Sequence, residues 1–274
     1  MRGLRGCRDS MATVMGVNHA TSGAAVWFAA TAALPSFGTH AYPLSPAGVL
    51  SGAVVCAGAA LLPDADHHSG TIANSIPVIG KLVTSGIADA SGGHRHGFHT
   101  ILAGAIVTLL AVLVGRFTAD VPTLGIVPIG PAIATIALIC FAMKARELVP
   151  SWTAAWAIGV AAAAAVIVFA PDNPTWFPIA VGLGFLTHIA GDLLTVEGVP
   201  SPTWPIQIRP PRSWTRTPGL RAIWKRNGYI AVPVLGRAGS WREALLGSLL
   251  GLYCIYAVVI VVARAAHVSL TALG

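Results

Sequence analysis

The feature that most constrains this chain is a succession of long apolar runs, each near the roughly 20 residues a helix needs to cross the hydrocarbon core of a bilayer. They fall at about 20–35, 46–63, 98–115, 125–143, 151–170, 176–196 and 244–263. Prolines mark the breaks, with Pro35, Pro43 and Pro46 after the first run and Pro171, Pro174 and Pro178 after the fifth; Pro128 and Pro131 interrupt the start of the fourth. The last run opens on Ser240-Trp-Arg-Glu243, a capping-box pattern in which the Ser and Glu side chains satisfy opposing backbone donors. Only 10% of the 274 residues are charged and 55% are hydrophobic, whereas a soluble domain carries about 25% charged residues. Too few polar groups remain to solvate an exterior, so lipid must cover much of it. The expected fold is all-α, a polytopic helical membrane protein of about seven transmembrane helices. One membrane domain is expected over 15–274, preceded by a disordered extension over 1–14, with Met11 or Met15 as alternative starts.

Lysine and arginine orient the spans. With a cytoplasmic N-terminus, the cytoplasmic segments hold Arg2, Arg5 and Arg8, then Lys81 and Arg95, then Lys144 and Arg146, then eight basic residues from Arg209 to Arg242. Only Arg116 and Arg264 of the 17 fall on the other side. This positive-inside bias supports seven crossings, because a missed or extra span would destroy the alternation. The formal charge of +7 then reflects cytoplasmic loops and anionic lipid rather than nucleic acid, for which no clear site exists. Cys7, Cys56, Cys140 and Cys254 lie far apart with no CxxC spacing, which supports neither a thiolate zinc site nor a disulfide framework.

That topology, drawn from lysine and arginine alone, gathers the histidines. His19 stands at the cytoplasmic end of the first span. Asp64, Asp66, His67 and His68 close the second just past Pro63. His94, Arg95, His96, His99 and Thr100 open the third, and His188, Asp192 and Thr195 lie in the cytoplasmic half of the sixth. All nine histidines but His40 and His267 therefore share one face. His188 and Asp192 are four apart and project from one side of a helix. An ionisable group inside a span is expensive, so Asp192 needs a partner, which His188 with a cation supplies. Imidazole nitrogen with carboxylate oxygen suits zinc or manganese. Each piece taken singly has a plainer explanation: an inter-helix hydrogen bond for His188 and Asp192, a turn for Asp64-x-Asp66, solvated loops for His68 and His96, and a bond back to its own helix for Thr195. Four segments delivering such residues to one face argue for a divalent metal, one or two ions.

The chain resembles the YdjM-type, LexA-regulated, membrane-bound metal-dependent hydrolase family. The resemblance rests on Gly16-Val-Asn-His19 with Ser22-Gly23, Leu-Leu-Pro-Asp64-x-Asp66-His67, Gly-His94-Arg95-x4-His99-Thr100, and His188-x3-Asp192-x2-Thr195-x2-Gly198-Val-Pro200 followed by Trp204-Pro205. These run in family order from about residue 15 to 210. Two positions depart from it, Phe98 where the family commonly has Thr and Thr100 in place of the usual Ser. The resemblance implies a multi-pass protein of the inner (plasma) membrane and hydrolysis of an unspecified substrate. Separately, His188-Ile-Ala-Gly-Asp192 is similar to the His-x-x-Gly-Asp element of zinc-dependent phospholipases C and related single-strand nucleases; this five-residue likeness suggests a phosphodiester.

The implied chemistry is hydrolysis at the cytoplasmic face. His19, Asp64, Asp66, His67, His94, His99, His188 and Asp192 are the candidate ligands, more than one zinc takes. One carboxylate acts as general base, with Asp66 the choice, and Arg95 stabilises developing negative charge. His96, Thr100 and Thr195 are expected to support the ligands rather than bind metal. The basic loop 197–242, with Trp204, Trp214, Trp224 and Trp241, suits the headgroup region, so membrane lipids are expected partners and a small-molecule or lipid substrate is expected at the site. Two other readings stand beside this one. In the first, a metal merely ties helices together in a non-catalytic protein. In the second, a transporter, ligands would sit near the bilayer midplane and connect both faces; the opposite half of the membrane holds no matching polar residues.

Overall fold

The computed structural model describes residues 3–31, 42, 44–66, 96–145, 148–169 and 175–271, together with positions 82, 85, 86 and 89. The protein is mostly helical. Its long helices are α1 (Gly3–Thr31), α2 (Pro46–Ala59), α3 (Ile101–Gly115), α4 (Ile129–Ala145), α5 (Trp152–Phe169) and α6 (Trp176–Leu193). Two short helices follow, α7 (Arg212–Arg216) and α8 (Pro218–Ile223), and then the long α9 (Trp241–Thr271). Each of the seven expected runs overlaps one of these longer helices, though seven crossings are not thereby shown. Of these, α6 and α9 are long and apolar enough to cross a membrane by length and composition, while α2 to α5 are apolar but shorter.

The helix ends differ from the apolar runs for local reasons. The first helix starts at Gly3, upstream of the expected span and through the stretch expected to be unstructured; no proline interrupts the chain before Pro35. The second stops at Ala59, four residues before Pro63, which disfavours helix in the residue ahead of it. Chain from Pro63 to Asp66 then forms a tight 3-10 turn. Before α3 a second 3-10 turn covers Gly97–His99, and Thr100 caps the helix by accepting from the Ala103 amide at 3.1 Å. These two departures from helix matter most, since they carry Asp64 and His99.

At the centre lies α6, packed against α1, α2 and α3. The approach to α2 is close because small residues line it: a Cβ on Gly23 of α1 or Gly184 of α6 would press on the Cys56 carbonyl of α2. Trp27 fills the space beyond, with its indole donating to the Val49 carbonyl at 2.9 Å, among Phe28, Val55, Phe177 and Val181. The outer faces are also apolar. Leu109 and Leu110 on α3 and Leu249, Leu252 and Ile255 on α9 are more than half exposed, oily faces that lipid, not water, satisfies.

Antiparallel β1 (Ala119–Val121) and β2 (Gly125–Val127) form a hairpin between α3 and α4. The chain after α6 folds back on that helix's end. Strand β3 (Val199–Pro200) pairs with β4 (Tyr229–Ile230), the Val232 amide reaches the Leu193 carbonyl, and the Leu235 amide reaches that of Leu194. Lys225 Nζ donates to the carbonyls of Val196 and Glu197. Within this segment the turn at Gly198 runs at φ 66°, where a Cβ would also strike the Ile230 carbonyl, so only glycine fits. The result is a cap over the C-terminal end of α6.

Candidate metal centre

His188 and Asp192 stand one turn apart on the inward side of α6, 0% and 1% exposed. Around them the fold brings His19 from α1, Asp64 from the turn after α2, and His99 from the turn before α3. Asp192 Oδ2 lies 3.5 Å from Nε2 of both His188 and His99, and its Oδ1 lies 3.7 Å from His19 Nε2. Asp64 Oδ1 is 3.8 Å from Nε2 of His99 and of His188. Two overlapping sets result, His19/His188/Asp192 and Asp64/His99/His188, each with its donor atoms within 4.8 Å of one another.

The tautomer of His188 decides what this arrangement can do. Its Nδ1 lies 2.7 Å from the carbonyl of Ala60. A carbonyl only accepts, so Nδ1 carries the proton and donates it. In the neutral ring Nε2 is then a bare lone pair, buried, with no hydrogen bond. It points at carboxylate oxygens of Asp192 and Asp64, which are acceptors too. Lone pairs converging in a dry interior repel one another unless a cation lies between them. Separations of 3.5–3.8 Å are too long for hydrogen bonds, but two ligands each about 2.1 Å from a tetrahedral zinc stand about 3.4 Å apart. The carbonyl behind Nδ1 is the support a ligating imidazole ordinarily has on its far nitrogen. The residues present therefore fit a divalent ion.

Neighbouring packing fixes the remaining ligands. The His19 ring stacks on His188, centroids 3.7 Å apart and planes 19° from parallel, and the His99 ring meets His188 edge-on at 5.3 Å. Gly191, between His188 and Asp192 in sequence, leaves room for His19: a Cβ there would stand 3.1 Å from its Cε1. Asp64 has a quarter of its side chain exposed. Burial alone would raise its carboxyl, but positive charge at the facing histidines, His188 first and then His99 and His19, where a proton stands in for the cation, outweighs this and holds it well below the usual carboxylate value.

Of the candidates from sequence, the structure thus brings together His19, Asp64, His99, His188 and Asp192. His67, His94 and Arg95 lie outside the described residues, as do His68 and His40, and of Asp66 only the backbone is described. His96 is exposed, its ring edge-on to Tyr229 at 6.0 Å. Thr100 donates to the Gly97 carbonyl while capping α3, which holds the turn carrying His99. Thr195 donates to the Asp192 carbonyl, so it bonds back to its own helix end. Phe98, where the family commonly has Thr, packs edge-on against Phe185 at 5.6 Å.

Beside the cluster lies a cavity of about 160 Å³ between α1, α6 and α9, lined among others by His19, Asp192, Thr195, Asn18, Leu246 and Glu243. Sequence reasoning gave Asn18 and Glu243 no place in a site. Glu243 had been read as a cap, and it does accept the Gly239 amide at 2.7 Å while its own amide reaches Ser240 Oγ at 3.3 Å. Its other oxygen, however, accepts from Asn18 Nδ2 at 2.8 Å across 225 residues of chain. The available signal was the position of Asn18 next to His19, with no means of pairing it to α9.

A family model described as YdjM inner membrane protein matches residues 14–267, nearly the whole chain. The chain belongs to this family and is a protein of the inner membrane, which two helices of spanning length and apolarity suit. No curated protein and no solved structure matches it.

Proposed function

We propose that this member of the YdjM inner membrane protein family is a metal-dependent hydrolase working at the cytoplasmic membrane face on a phosphodiester or lipid-type substrate. Seven crossings with a cytoplasmic N-terminus belong to the proposal, resting on the charge alternation and on the helix found in each apolar run. So does lateral access for a membrane lipid past the basic loop 197–242. The observation that carries the reading is His188, whose Nδ1 is spoken for by Ala60 and whose buried Nε2 faces two carboxylates.

Zinc, or manganese, would be held by Asp64, His99, His188 and Asp192, with His19 joining His188 and Asp192 as the second of the two overlapping sets; two ions fit those sets. A divalent ion in such a site supplies Lewis acidity and eases deprotonation of water. The chain's own groups do the rest. Ala60 holds the His188 tautomer, His19 is held by stacking on His188 with room left by Gly191, and the apolar walls of α1 to α3 keep bulk water from the buried side. On their sequence positions alone, Asp66 would take the proton, Arg95 would offset developing negative charge, and His67 and His94 would be further ligands.

A second reading has its own support. The ligands join α1, α6 and two turns, and His99, His188 and Asp192 are all but fully buried, so an ion that only ties these elements together would occupy the same place. Elemental analysis of the detergent-purified protein, run beside phosphodiester, phosphomonoester and lipid hydrolysis assays, separates the readings. Asp64→Ala and His188→Ala should each lose most of the bound metal and any hydrolysis. Full metal content in both variants refutes the site. Metal lost from both variants, with no hydrolysis by the parent protein on any substrate, favours the tie.

A further inference from the structure

The cavity beside the metal cluster has an asymmetric chemistry that the ligand set does not use. Asp192 and His19 line it from the metal cluster, and Glu243, in the first turn of α9 and only 8% exposed, lines it as well. Among the described residues no lysine or arginine lines the space, and Leu235 and Leu246 close its sides. Both Glu243 oxygens accept from N–H groups, Asn18 Nδ2 on one and the Gly239 amide on the other. Each oxygen has a second lone pair. A capping role engages one oxygen; the bond to Asn18 aims the other across to α1, beside a metal-ligand candidate. Glycines hold the space open at two points, Gly191 under His19 and Gly247 against Asn18.

Resting on the metal-hydrolase reading, we propose that this cavity receives the group attached to the scissile ester, and that Glu243, positioned by Asn18, selects a substituent that donates hydrogen bonds and carries no negative charge, a primary ammonium or a hydroxyl. The ester oxygen atoms meet the cation at Asp192 and His19, and the substituent meets the carboxylate at the other end. An anionic substituent is disfavoured by like charge against the Glu243 carboxylate, with no lysine or arginine among the described lining residues to offset it. An ammonium gains a charge-assisted hydrogen bond to the same carboxylate. Specificity then comes from a repelling element as much as from an attracting one.

The test uses the full-length protein in detergent, loaded with zinc, and three isosteric probes: 2-aminoethyl phosphate, 2-hydroxyethyl phosphate and phosphoglycolate. Affinities are measured by titration calorimetry, with bound zinc determined on the same samples. The amine should bind at least about tenfold more tightly than phosphoglycolate, the ratio a charge-assisted hydrogen bond supports, with the hydroxyl between. Glu243→Gln should bring the three affinities to within about threefold without loss of zinc. Gly247→Ala is the second variant, since its Cβ displaces the Asn18 amide without touching the carboxylate; it should cut amine and hydroxyl binding to that of inorganic phosphate. Equal binding of the three probes by the zinc-loaded parent protein overturns the inference, as does a preference that survives in either variant. A parent protein that takes up no zinc sinks the hydrolase reading and this inference together, whereas bound zinc without discrimination sinks this inference alone.

Discussion

Gly191→Ala separates two explanations of one residue by the sign of two measurements. If Gly191 were only a helical position, alanine would improve it, since glycine costs a helix interior about 0.8–1.0 kcal/mol relative to alanine. Thermal stability of the metal-free protein would rise and nothing else would change. The geometry gives a second consequence. A Cβ on Gly191 stands 3.1 Å from His19 Cε1 and 3.2 Å from its Nδ1, tighter than carbon contacts of about 3.5–4.0 Å tolerate. His19 must give by a few tenths of an ångström, yet its ring is held against His188 at 3.7 Å. Turning the imidazole off its rotamer by about 30° costs roughly 0.5–1.5 kcal/mol, which is about two- to tenfold in affinity. Zinc binding measured against a competing chelator should therefore weaken by about two- to tenfold, while metal-free thermal stability stays level or rises. Unchanged affinity in a stable variant would show that His19 is not a ligand or that the ring has room the packing denies it.

The other expectations follow from the same packing. Stripping the metal should lower the unfolding temperature in detergent: at free ion about 1,000 times the dissociation constant the ion contributes roughly 4 kcal/mol, on the order of 10 °C for a chain of this size. His188→Ala should abolish that difference, and its persistence would place the stabilising ion elsewhere. Gly184→Val drives a branched side chain into the Cys56 carbonyl and should destabilise the metal-free protein by about 1–3 kcal/mol or more; a neutral result in thermal unfolding would mean α2 and α6 sit farther apart. Trp241, 71% exposed beside Arg242, should account for more of the fluorescence quenching by brominated lipid than Trp176, which is 2% exposed. Substituting each by Phe in liposomes measures this, and equal losses would remove Trp241 from the lipid boundary.

Much of the site was legible because its residues carry chemistry that a membrane span does not otherwise tolerate. Asp192 inside an apolar run demanded a partner, and helical periodicity supplied His188 at the right spacing. Positive-inside charge then placed His19, Asp64 and His99 at the same end without any knowledge of contacts. Three kinds of information were not there to be read. The Ala60 carbonyl that fixes His188 is backbone, and any residue type could have provided it. The 3-10 turns at Pro63–Asp66 and Gly97–His99 lie inside or at the edge of runs that hydropathy alone extends as helix. Glu243 satisfies a local capping pattern so completely that its second oxygen gave no sign of reaching α1. Long-range pairing of that sort is set by how α9 packs on α1, and composition along α9 reports only that its outside is apolar.

Whether the centre cuts a substrate or ties helices together turns on how the protein fills the space around it. A purely structural ion is surrounded by protein ligands with no position left over. Here the walls are uneven. On the side of α2 and α3, His99 and His188 are fully buried. On the side of α1 and α9, Asp192 and His19 border a cavity directly, and the rest of its lining is mostly apolar, Leu235, Ala238 and Leu246 beside Asn18 and Glu243. A helix tie alone has no use for that opening, which is bordered by glycines at 191 and 247, where a Cβ would press on His19 and on Asn18. The retained space, together with Asp64 a quarter exposed, is what a catalytic centre requires, since something other than protein must reach the ion. The deciding measurement is solvent access to the loaded metal. With paramagnetic manganese in place of zinc, water proton relaxation should show at least one rapidly exchanging water, and Gly191→Ala combined with Gly247→Ala should diminish the signal. A loaded centre with no exchangeable water in the parent protein would give the argument to the tie.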